Sequence, residues 1–279
     1  EYHKGLEDYD RFRFNGMDHE DALRAVVLSC LERCADWDNG GDSYKSKHTL
    51  IRSLVWYLDK YPMETDPAQT ISIGEGDEKR PAVEVSFRFE LDWGPENGKY
   101  IQYQEAEDEE GRYTEQEVEA HQPYLLCGHL DRVVSFQDEL FVMDRKTTKS
   151  TPGSYYFDTF NPNNQMTLYS LGAKVIFKTN IRGVIIDACQ VAVGFTRSTR
   201  GLTYRTEADL EEWLEDLKHW LSLAERYAIE GYWPKNDTSC DKFGGCTFRE
   251  ICSESPSVRE QFLKSSFKKD DRWNPLKPR

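Results

Sequence analysis

Apolar and polar positions follow a helical period at both ends of the chain and an alternating period in its middle. Apolar residues at three- and four-residue spacing predict helices within 1–36 and over 47–61, 165–175 and 206–231. Alternation of apolar and polar side chains predicts a half-buried strand over 82–91, and shorter apolar runs predict strands at 128–134, 140–148 and 181–193. This order of elements predicts an α/β fold (mixed α+β) in which helices flank a central mixed sheet.

The segment 128–148 carries the charges that interrupt this pattern. Its two strands flank a short polar turn and carry Asp131, Asp144 and Lys146. Because successive side chains on a strand alternate between faces, Asp144 and Lys146 point the same way, and hairpin pairing would let Asp131 face them. Carboxylates that converge on an apolar sheet are costly to bury without a partner, and a divalent cation is the simplest one. The alternative is a surface hairpin with scattered charges.

The chain of 279 residues is long enough for one large domain or two small ones, and we expect a single domain over 1–279. Residues 92–122 are rich in Asp, Glu, Gly and Asn, which predicts a long, partly mobile acidic insertion. Residues 236–279 form an expected Cys-containing C-terminal extension. The chain begins with Glu inside a helical pattern, so we expect that residues upstream are missing.

Charge and cysteine usage narrow the class of protein. The net charge of −14 counts against tight nonspecific DNA binding but is compatible with an acidic enzyme that has a local basic groove. The seven cysteines are an odd number, and no signal peptide precedes them, which argues against a secreted disulfide scaffold. No apolar run approaches a membrane-spanning length, so we expect a cytoplasmic protein without a membrane partner.

Motifs on both sides of the hairpin extend this picture. Asp131 is followed by Asp144-Arg145-Lys146, and the helix after the hairpin carries Gln165 and Tyr169 four residues apart. His3 lies in a helical pattern at the start of the chain. Together these motifs resemble the PD-(D/E)XK nuclease superfamily in its RecB-like branch, and in particular phage-type exonucleases. The resemblance covers nearly the whole chain, although Leu130 replaces the Pro of the family name and the usual N-terminal helix is absent.

The resemblance implies a restriction-endonuclease-like core and a metal site. In this interpretation Asp131 and Asp144 hold Mg²⁺ or Mn²⁺, with the backbone carbonyl of Arg145 and the imidazole of His3 as further ligands. A nitrogen ligand suits Mn²⁺ better than Mg²⁺. The metal would lower the pKa of water and neutralise charge on the scissile phosphate. Without the motif, His3 would be interpreted as a surface histidine.

The remaining catalytic residues are also implied by the resemblance. Lys146 would orient or deprotonate the attacking water and offset developing negative charge. Gln165 and Tyr169 would position the DNA backbone or the lysine, the alternative being an ordinary helix surface. Glu84 lies on the strand over 82–91, where some relatives place an extra acid, and is a further candidate.

Three late cysteines form a second candidate site: Cys240, Cys246 and Cys252. Relatives with a [4Fe–4S] cluster combine three C-terminal cysteines with one in the N-terminal helix, so the resemblance raises the possibility of such a cluster here. Cys30 or Cys34 could supply the fourth ligand, although both lie on an apolar helix stripe. The usual C-x2-C step is absent, and zinc or free buried thiols are the alternatives.

The function expected from the resemblance is a metal-dependent DNA nuclease, an exonuclease that acts in recombination or repair in a bacterial or phage-infected cell. Its expected partners are DNA and a recombinase or single-strand annealing protein. The alternative is a catalytically weak DNA-binding or scaffolding subunit that serves such a recombinase or annealing protein. An RNA-directed nuclease is a third interpretation. Digestion polarity, strand preference, endo or exo mode and oligomeric state stay open.

Overall fold

A computed structural model describes residues 1–91, 100–107, 113–120, 124–242 and 245–269, of which 100–107 and 113–120 are described through their backbone alone. The chain falls into two compact units, Glu1–Asp216 and Leu217–Arg279. The Cys-containing extension expected from residue 236 lies in the second unit. The expected single domain stays a prediction.

The longer helices lie where the helical spacing of apolar residues predicts them, and the shorter helices over 154–158, 249–253 and 256–266 are not predicted by it. In chain order they are α1 (Tyr2–Phe14), α2 (His19–Arg33), α3 (Lys47–Lys60), α4 (Ser154–Asp158), α5 (Asn164–Phe177), α6 (Glu207–Glu230), α7 (Arg249–Ser253) and α8 (Pro256–Ser266). Short 3-10 helices cover Gly76–Glu78 and Asp237–Ser239. The side chain of Asp18 caps α2 by accepting a hydrogen bond from the backbone of Asp21. Among the described residues, no helix is long and apolar enough to cross a membrane.

Strands fill the middle of the chain. They are β1 (Gln69–Thr70), β2 (Ser72–Ile73), β3 (Arg80–Pro81), β4 (Val83–Leu91), β5 (Tyr100–Glu107), β6 (Tyr113–Ala120), β7 (Tyr124–Phe136), β8 (Glu139–Thr148), β9 (Gly183–Val191) and β10 (Thr196–Tyr204). The main sheet has the order β1-β7-β8-β9-β10, and β4 also pairs with β7. Only the β8–β9 pair of this sheet is parallel among the described residues. The predicted mixed sheet flanked by helices is therefore confirmed.

The acidic insertion contains regular structure. Strands β5 and β6 pair in an antiparallel register from Tyr100 opposite Ala120 to Glu107 opposite Tyr113. The stretch 92–122 therefore contains a pair of strands, and its other residues lie outside the described residues. The expected mobility stays a prediction.

Apolar side chains cover both faces of the sheet. On one face α5 packs on strands β4, β7, β8 and β9 through buried Met166, Leu130 and Ile186. On the other side of the same unit, α1, α2 and α3 pack together through Leu6, Val26 and Leu54, none of which is exposed. Strand β9 is buried along nearly its whole length, as expected for a parallel strand covered on both faces. The sheet is therefore the middle layer of this unit.

The β7–β8 hairpin turns at Gln137 and Asp138, whose φ angles of 53° and 61° suit a tight two-residue hairpin turn. Its two strands pair only from Phe136 opposite Glu139 to Arg132 opposite Met143. Beyond that point β7 pairs with β4, and β8 pairs with β9. The two strands therefore diverge in a fork directly after Arg132 and Met143.

Candidate active site

The fork brings Asp131 and Asp144 to the place where the β7–β8 ladder ends. Asp131 lies next to Arg132, the β7 residue of the last β7–β8 pair. The Oδ2 atom of Asp131 accepts a hydrogen bond from the backbone N–H of Arg145 at 2.8 Å. The carboxylate thus satisfies a backbone donor at the point where the two strands separate. Only 15% of the Asp131 side chain is exposed, so the fork holds this acid in a nearly buried position.

Asp144 is almost fully buried and contacts Lys146 on the same strand face. The Nζ of Lys146 donates a hydrogen bond to Asp144 Oδ1 at 3.1 Å. It also lies 2.8 Å from Oδ2, but this ionic contact lacks hydrogen-bond geometry. Burial raises the pKa of the Asp144 carboxyl to about 6, and the neighbouring Asp131 adds to the rise while Lys146 opposes it. The buried Oδ2 accepts no hydrogen bond from the residues that the structure describes.

A hydrogen-bonded chain leads from Lys146 to α5. Lys146 Nζ donates to Gln165 Oε1 at 2.8 Å, and Gln165 Nε2 donates to the Tyr169 hydroxyl at 3.0 Å. The side chain of Asn163 caps α5 by accepting from the backbone N–H groups of Gln165 and Met166. The Gln-x-x-x-Tyr motif is therefore one turn of α5 that contacts the lysine of the hairpin.

Tyr169 keeps its proton in this environment. Burial raises the pKa of its hydroxyl to about 12, and the nearby carboxylates of Asp144, Asp131 and Glu84 add to the rise. Its oxygen accepts the hydrogen bond from Gln165, so the phenol O–H remains a donor.

His3 lies at the start of α1, and its Nδ1 is 3.6 Å from Asp131 Oδ2. This distance is too long for a hydrogen bond. Burial lowers the pKa of the imidazole, with Arg145 and Lys146 lowering it further and Asp131 opposing them. A neutral imidazole is the form that binds a metal.

Glu84 interrupts the regular pairing of β4 with β7. Val83 lies opposite Arg132 and Val85 opposite Leu130, which places Glu84 level with Asp131. Glu84 has a φ of 48°, a left-handed conformation that is uncommon for residues other than glycine. Its carboxylate contributes to the raised pKa of Tyr169, so the structure brings this sequence-predicted acid close to the others.

The side chain of Arg145 points away from the acids. It is 3% exposed, and its Nη2 donates to Asp10 Oδ2 at 2.7 Å. Asp10 lies on α1 seven residues after His3, so both residues belong to the same side of that helix. The role expected for the backbone carbonyl of Arg145 stays a prediction.

Asp10 belongs to a buried charge network that the sequence motifs do not reveal. Arg132 lies 3.6 Å from Asp10 and 3.5 Å from Asp66. Arg200 of β10 contacts Asp66 at 2.5 Å and Asp187 at 3.3 Å. The network alternates three aspartates with three arginines, which is the pairing that buried charges require.

The acids at the fork fit a divalent cation. Mg²⁺ and Mn²⁺ bind carboxylate oxygens, and Mn²⁺ also accepts an imidazole. Asp144 offers a buried oxygen that accepts no hydrogen bond from described residues, Asp131 lies beside it, and burial lowers the pKa of the His3 imidazole, which favours its metal-binding form. Ligand atoms of these three residues do not all lie within 4.8 Å of one another; among the described residues that spacing occurs for Glu1, Cys30 and Cys34.

The three C-terminal cysteines lie in the second unit as free thiols. The backbone N–H of Cys246 donates to the carbonyl of Cys240 at 2.9 Å, and Cys252 lies in α7. They do not form a group of sulfur atoms within 4.8 Å of one another in the described part of the chain. Cys30 and Cys34 are buried among the apolar residues of α1, α2 and α3. An iron–sulfur cluster therefore stays a prediction.

The family is shown by comparison with known sequences. The sequence model of the PD-(D/E)XK nuclease superfamily matches residues 2–253, most of the chain and all of the candidate active site. The chain therefore belongs to the PD-(D/E)XK nuclease superfamily, as its motifs indicate. No curated protein matches it. The RecB-like branch stays a hypothesis based on His3, Gln165 and Tyr169.

Proposed function

We propose that the chain is a Mg²⁺- or Mn²⁺-dependent deoxyribonuclease of the RecB-like branch, an exonuclease that acts in DNA recombination or repair. Its superfamily is one of metal-dependent nucleases. The observation that carries the finer proposal is the continuous contact from Asp144 through Lys146 and Gln165 to Tyr169. Such a chain of polar contacts beside a second acid is not expected of a site that has lost its chemistry.

The candidate ligands of the cation are His3, Asp131, Asp144 and the backbone carbonyl of Arg145. A divalent cation bound there supplies charge neutralisation for the scissile phosphate and lowers the pKa of water. Asp131 lies close enough to Asp144 to help raise its pKa. A cation bound between the two carboxylates would relieve their mutual repulsion.

Lys146 is held so that its ammonium faces the acids. Its contacts with Asp144 Oδ1 and Gln165 Oε1 fix Nζ at the edge of the fork, and 27% of its side chain is exposed. From there Lys146 orients the attacking water and offsets negative charge that develops on the phosphate.

Gln165 and Tyr169 hold the lysine and present a donor to the phosphate. The amide of Gln165 accepts from Lys146 and donates to Tyr169, so both ends of the amide are engaged. Because Tyr169 accepts that bond and keeps its proton, its O–H can donate to a phosphate oxygen of the substrate. Asn163 supports this arrangement by fixing the first turn of α5.

The test is cleavage of end-labelled single- and double-stranded DNA in the presence of Mn²⁺ or Mg²⁺. We expect metal-dependent cleavage by the wild type, with products that report the digestion direction. Lys146→Ala and Asp144→Ala should abolish it while circular dichroism shows a folded protein. Lys79→Ala, at an exposed lysine of the same unit, is the matched control.

Unchanged cleavage by the Lys146→Ala variant would refute this mechanism. Metal binding by the wild type without cleavage of single-stranded, double-stranded or flapped DNA would instead support the scaffolding alternative. Cleavage restricted to RNA would overturn the assignment as a deoxyribonuclease.

A further inference from the structure

A cleft lies beyond Lys146 along the direction of β8. Its volume is about 590 Å³, and Thr147, Thr148 and Lys149 form one wall. The loop between α2 and α3 also lines it with Trp37, Tyr44 and Lys45. We call this space the β8 cleft. The cleft adjoins the part of β8 that follows Asp144 and Lys146, and Glu1 and Tyr2, the residues before His3, also line it.

Two aromatic rings are partly exposed in the β8 cleft. Trp37 and Tyr44 are each 39% exposed, and the ammonium of Lys149 lies 4.6 Å from the ring centroid of Tyr44. The loop that carries Tyr44 is fixed locally, because Asp42 accepts hydrogen bonds from the backbone N–H groups of Tyr44 and Lys45 at 2.8 and 3.3 Å. The backbone at Tyr44 is therefore held in place by contacts of its own loop.

Positive charge accompanies the rings. Lys45 is exposed, and Lys149 is 60% exposed, with its ammonium 3.8 Å from Asp42. Arg33 also lines the cleft, but it is engaged by Glu1 at 2.6 Å and Asp8 at 3.0 Å. Lys149 has a longer ion-pair contact than Arg33, so the two lysines are the less firmly held cations of the cleft, in a chain whose net charge is −14. A local basic site of this kind is what an acidic nuclease needs to attract a phosphate backbone.

Thr148 lies two residues after Lys146 on the same strand face, a distance of ~7 Å along the strand. A nucleotide that follows the scissile phosphate can bridge this distance. Aromatic faces combined with cations are typical of proteins that bind single-stranded nucleic acid, because unpaired bases stack on the rings while the cations contact the phosphates. A paired base would carry its complementary strand with it and could not expose both of its faces.

We propose that the β8 cleft binds an unpaired base of single-stranded DNA next to the scissile phosphate. The base stacks against both Trp37 and Tyr44, and the adjoining phosphate contacts Lys45 and Lys149. The inference rests on the proposed nuclease function and assigns an unpaired strand as the form of DNA that enters the site.

The experiment measures binding of fluorescein-labelled oligo(dT) by fluorescence anisotropy, with Ca²⁺ in place of the catalytic metal. We expect Trp37→Ala and Tyr44→Ala each to weaken binding roughly 5- to 150-fold, the range known for loss of one base–aromatic stack. Trp37→Phe should keep most of the affinity because it keeps an aromatic face. Trp56→Ala removes a 48% exposed tryptophan on α3 and should leave binding unchanged.

A second probe separates bases from phosphates. An oligonucleotide of the same length with abasic sugars keeps the phosphates, so we expect weaker binding by the wild type and no further loss in the Trp37→Ala variant. Wild-type affinity for oligo(dT) in both alanine variants would overturn the inference, as would equal affinity of the wild type for oligo(dT) and the abasic strand. Absence of wild-type binding to oligo(dT) would overturn it too.

Failure of this inference is distinguishable from failure of the proposed function. If the wild type cleaves DNA with Mn²⁺ but the alanine variants bind oligo(dT) normally, the stacking role alone is wrong. If the wild type binds oligo(dT) through Trp37 and Tyr44 yet cleaves no DNA, the nuclease assignment is wrong. Thermal unfolding of each variant verifies that it is folded.

Discussion

Asp10 links the helix that carries His3 to the strand that carries the candidate acids. It is 2% exposed, and its Oδ2 accepts from Arg145 Nη2 at 2.7 Å. Its Oδ1 lies 3.6 Å from Arg132 and accepts from the Thr70 hydroxyl at 3.3 Å. Asp10→Asn keeps the shape of the side chain but removes the charge that two buried guanidinium groups face. This substitution tests whether the buried network supports the site.

The expected magnitude follows from burial. Removing one partner of a buried ion pair typically costs ~3–5 kcal/mol, because the other charge stays buried and unpaired. We expect Asp10→Asn to lower the free energy of unfolding by about 3 kcal/mol, at the lower end because Asn retains an acceptor and Arg132 still contacts Asp66. Urea unfolding followed by circular dichroism measures this change.

The matched control is Asp8→Asn on the same helix. Asp8 pairs with Lys4 and Arg33, whose side chains are 46% and 31% exposed, so we expect a loss below ~1 kcal/mol. In a double variant, Asp10→Ala with Arg145→Leu, the loss should be smaller than the sum of the two single losses. An Asp10→Asn protein within ~0.5 kcal/mol of the wild type would refute the reasoning, since changes of that size are usual for surface sites.

Three further outcomes follow from individual contacts. Gly128→Ala should lower the free energy of unfolding by ~1–3 kcal/mol, because the added Cβ would lie 2.4 Å from the ring of buried Phe87. A urea unfolding midpoint equal to that of the wild type would contradict this packing. At a Mn²⁺ concentration one hundred times the Kd, binding should stabilise the wild type by ~2.7 kcal/mol and raise its midpoint of thermal unfolding. The midpoint of the Asp144→Asn variant should not rise. Although burial opposes the shift, Arg200 lowers the pKa of Asp66, so this carboxylate stabilises the fold above its usual pKa and the contribution disappears as the pH falls through the lowered value. Arg200→Met should therefore flatten the loss of stability between neutral and acidic pH in urea titrations.

The periodicity of apolar residues predicts the helices and strands that have a regular apolar face, but it does not predict the elements that lack one. Helices α1, α2, α3, α5 and α6 and the strands β4, β7, β8 and β9 coincide with regular apolar spacing, whereas α4, α7 and α8 do not. Strand β10 (Thr196–Tyr204) is not predicted because its sequence contains many polar residues. It is the last strand in the described order of the sheet and pairs with β9. The acidic composition of 92–122 predicts an insertion but does not indicate strands β5 and β6, whose pairing is a matter of backbone hydrogen bonds.

The candidate site was accessible from the sequence where its residues are close in the chain. Asp131, Asp144 and Lys146 belong to one hairpin, and Gln165 and Tyr169 to one helical turn, so spacing alone predicts which of them share a face. Contacts between distant segments, such as Arg200 with Asp66 or Arg145 with Asp10, leave no periodic signal. They depend on how the sheet and its helices pack, which no local spacing specifies.

Alternation along the two central strands connects the site to the network behind it. Asp144 contacts Lys146, whose Nζ donates to Gln165 of α5, whereas the adjacent Arg145, like Arg132 beside Asp131, pairs with Asp10 of α1. Each acid is therefore one peptide unit away from a buried charge whose partner lies on α1. Because a buried guanidinium cannot shift without losing its partner, the network fixes the backbone that orients both acids. The same ion pairs hold α1, and thereby His3, against the fork, so the rigidity of the rear face determines the spacing of the candidate metal ligands on the front.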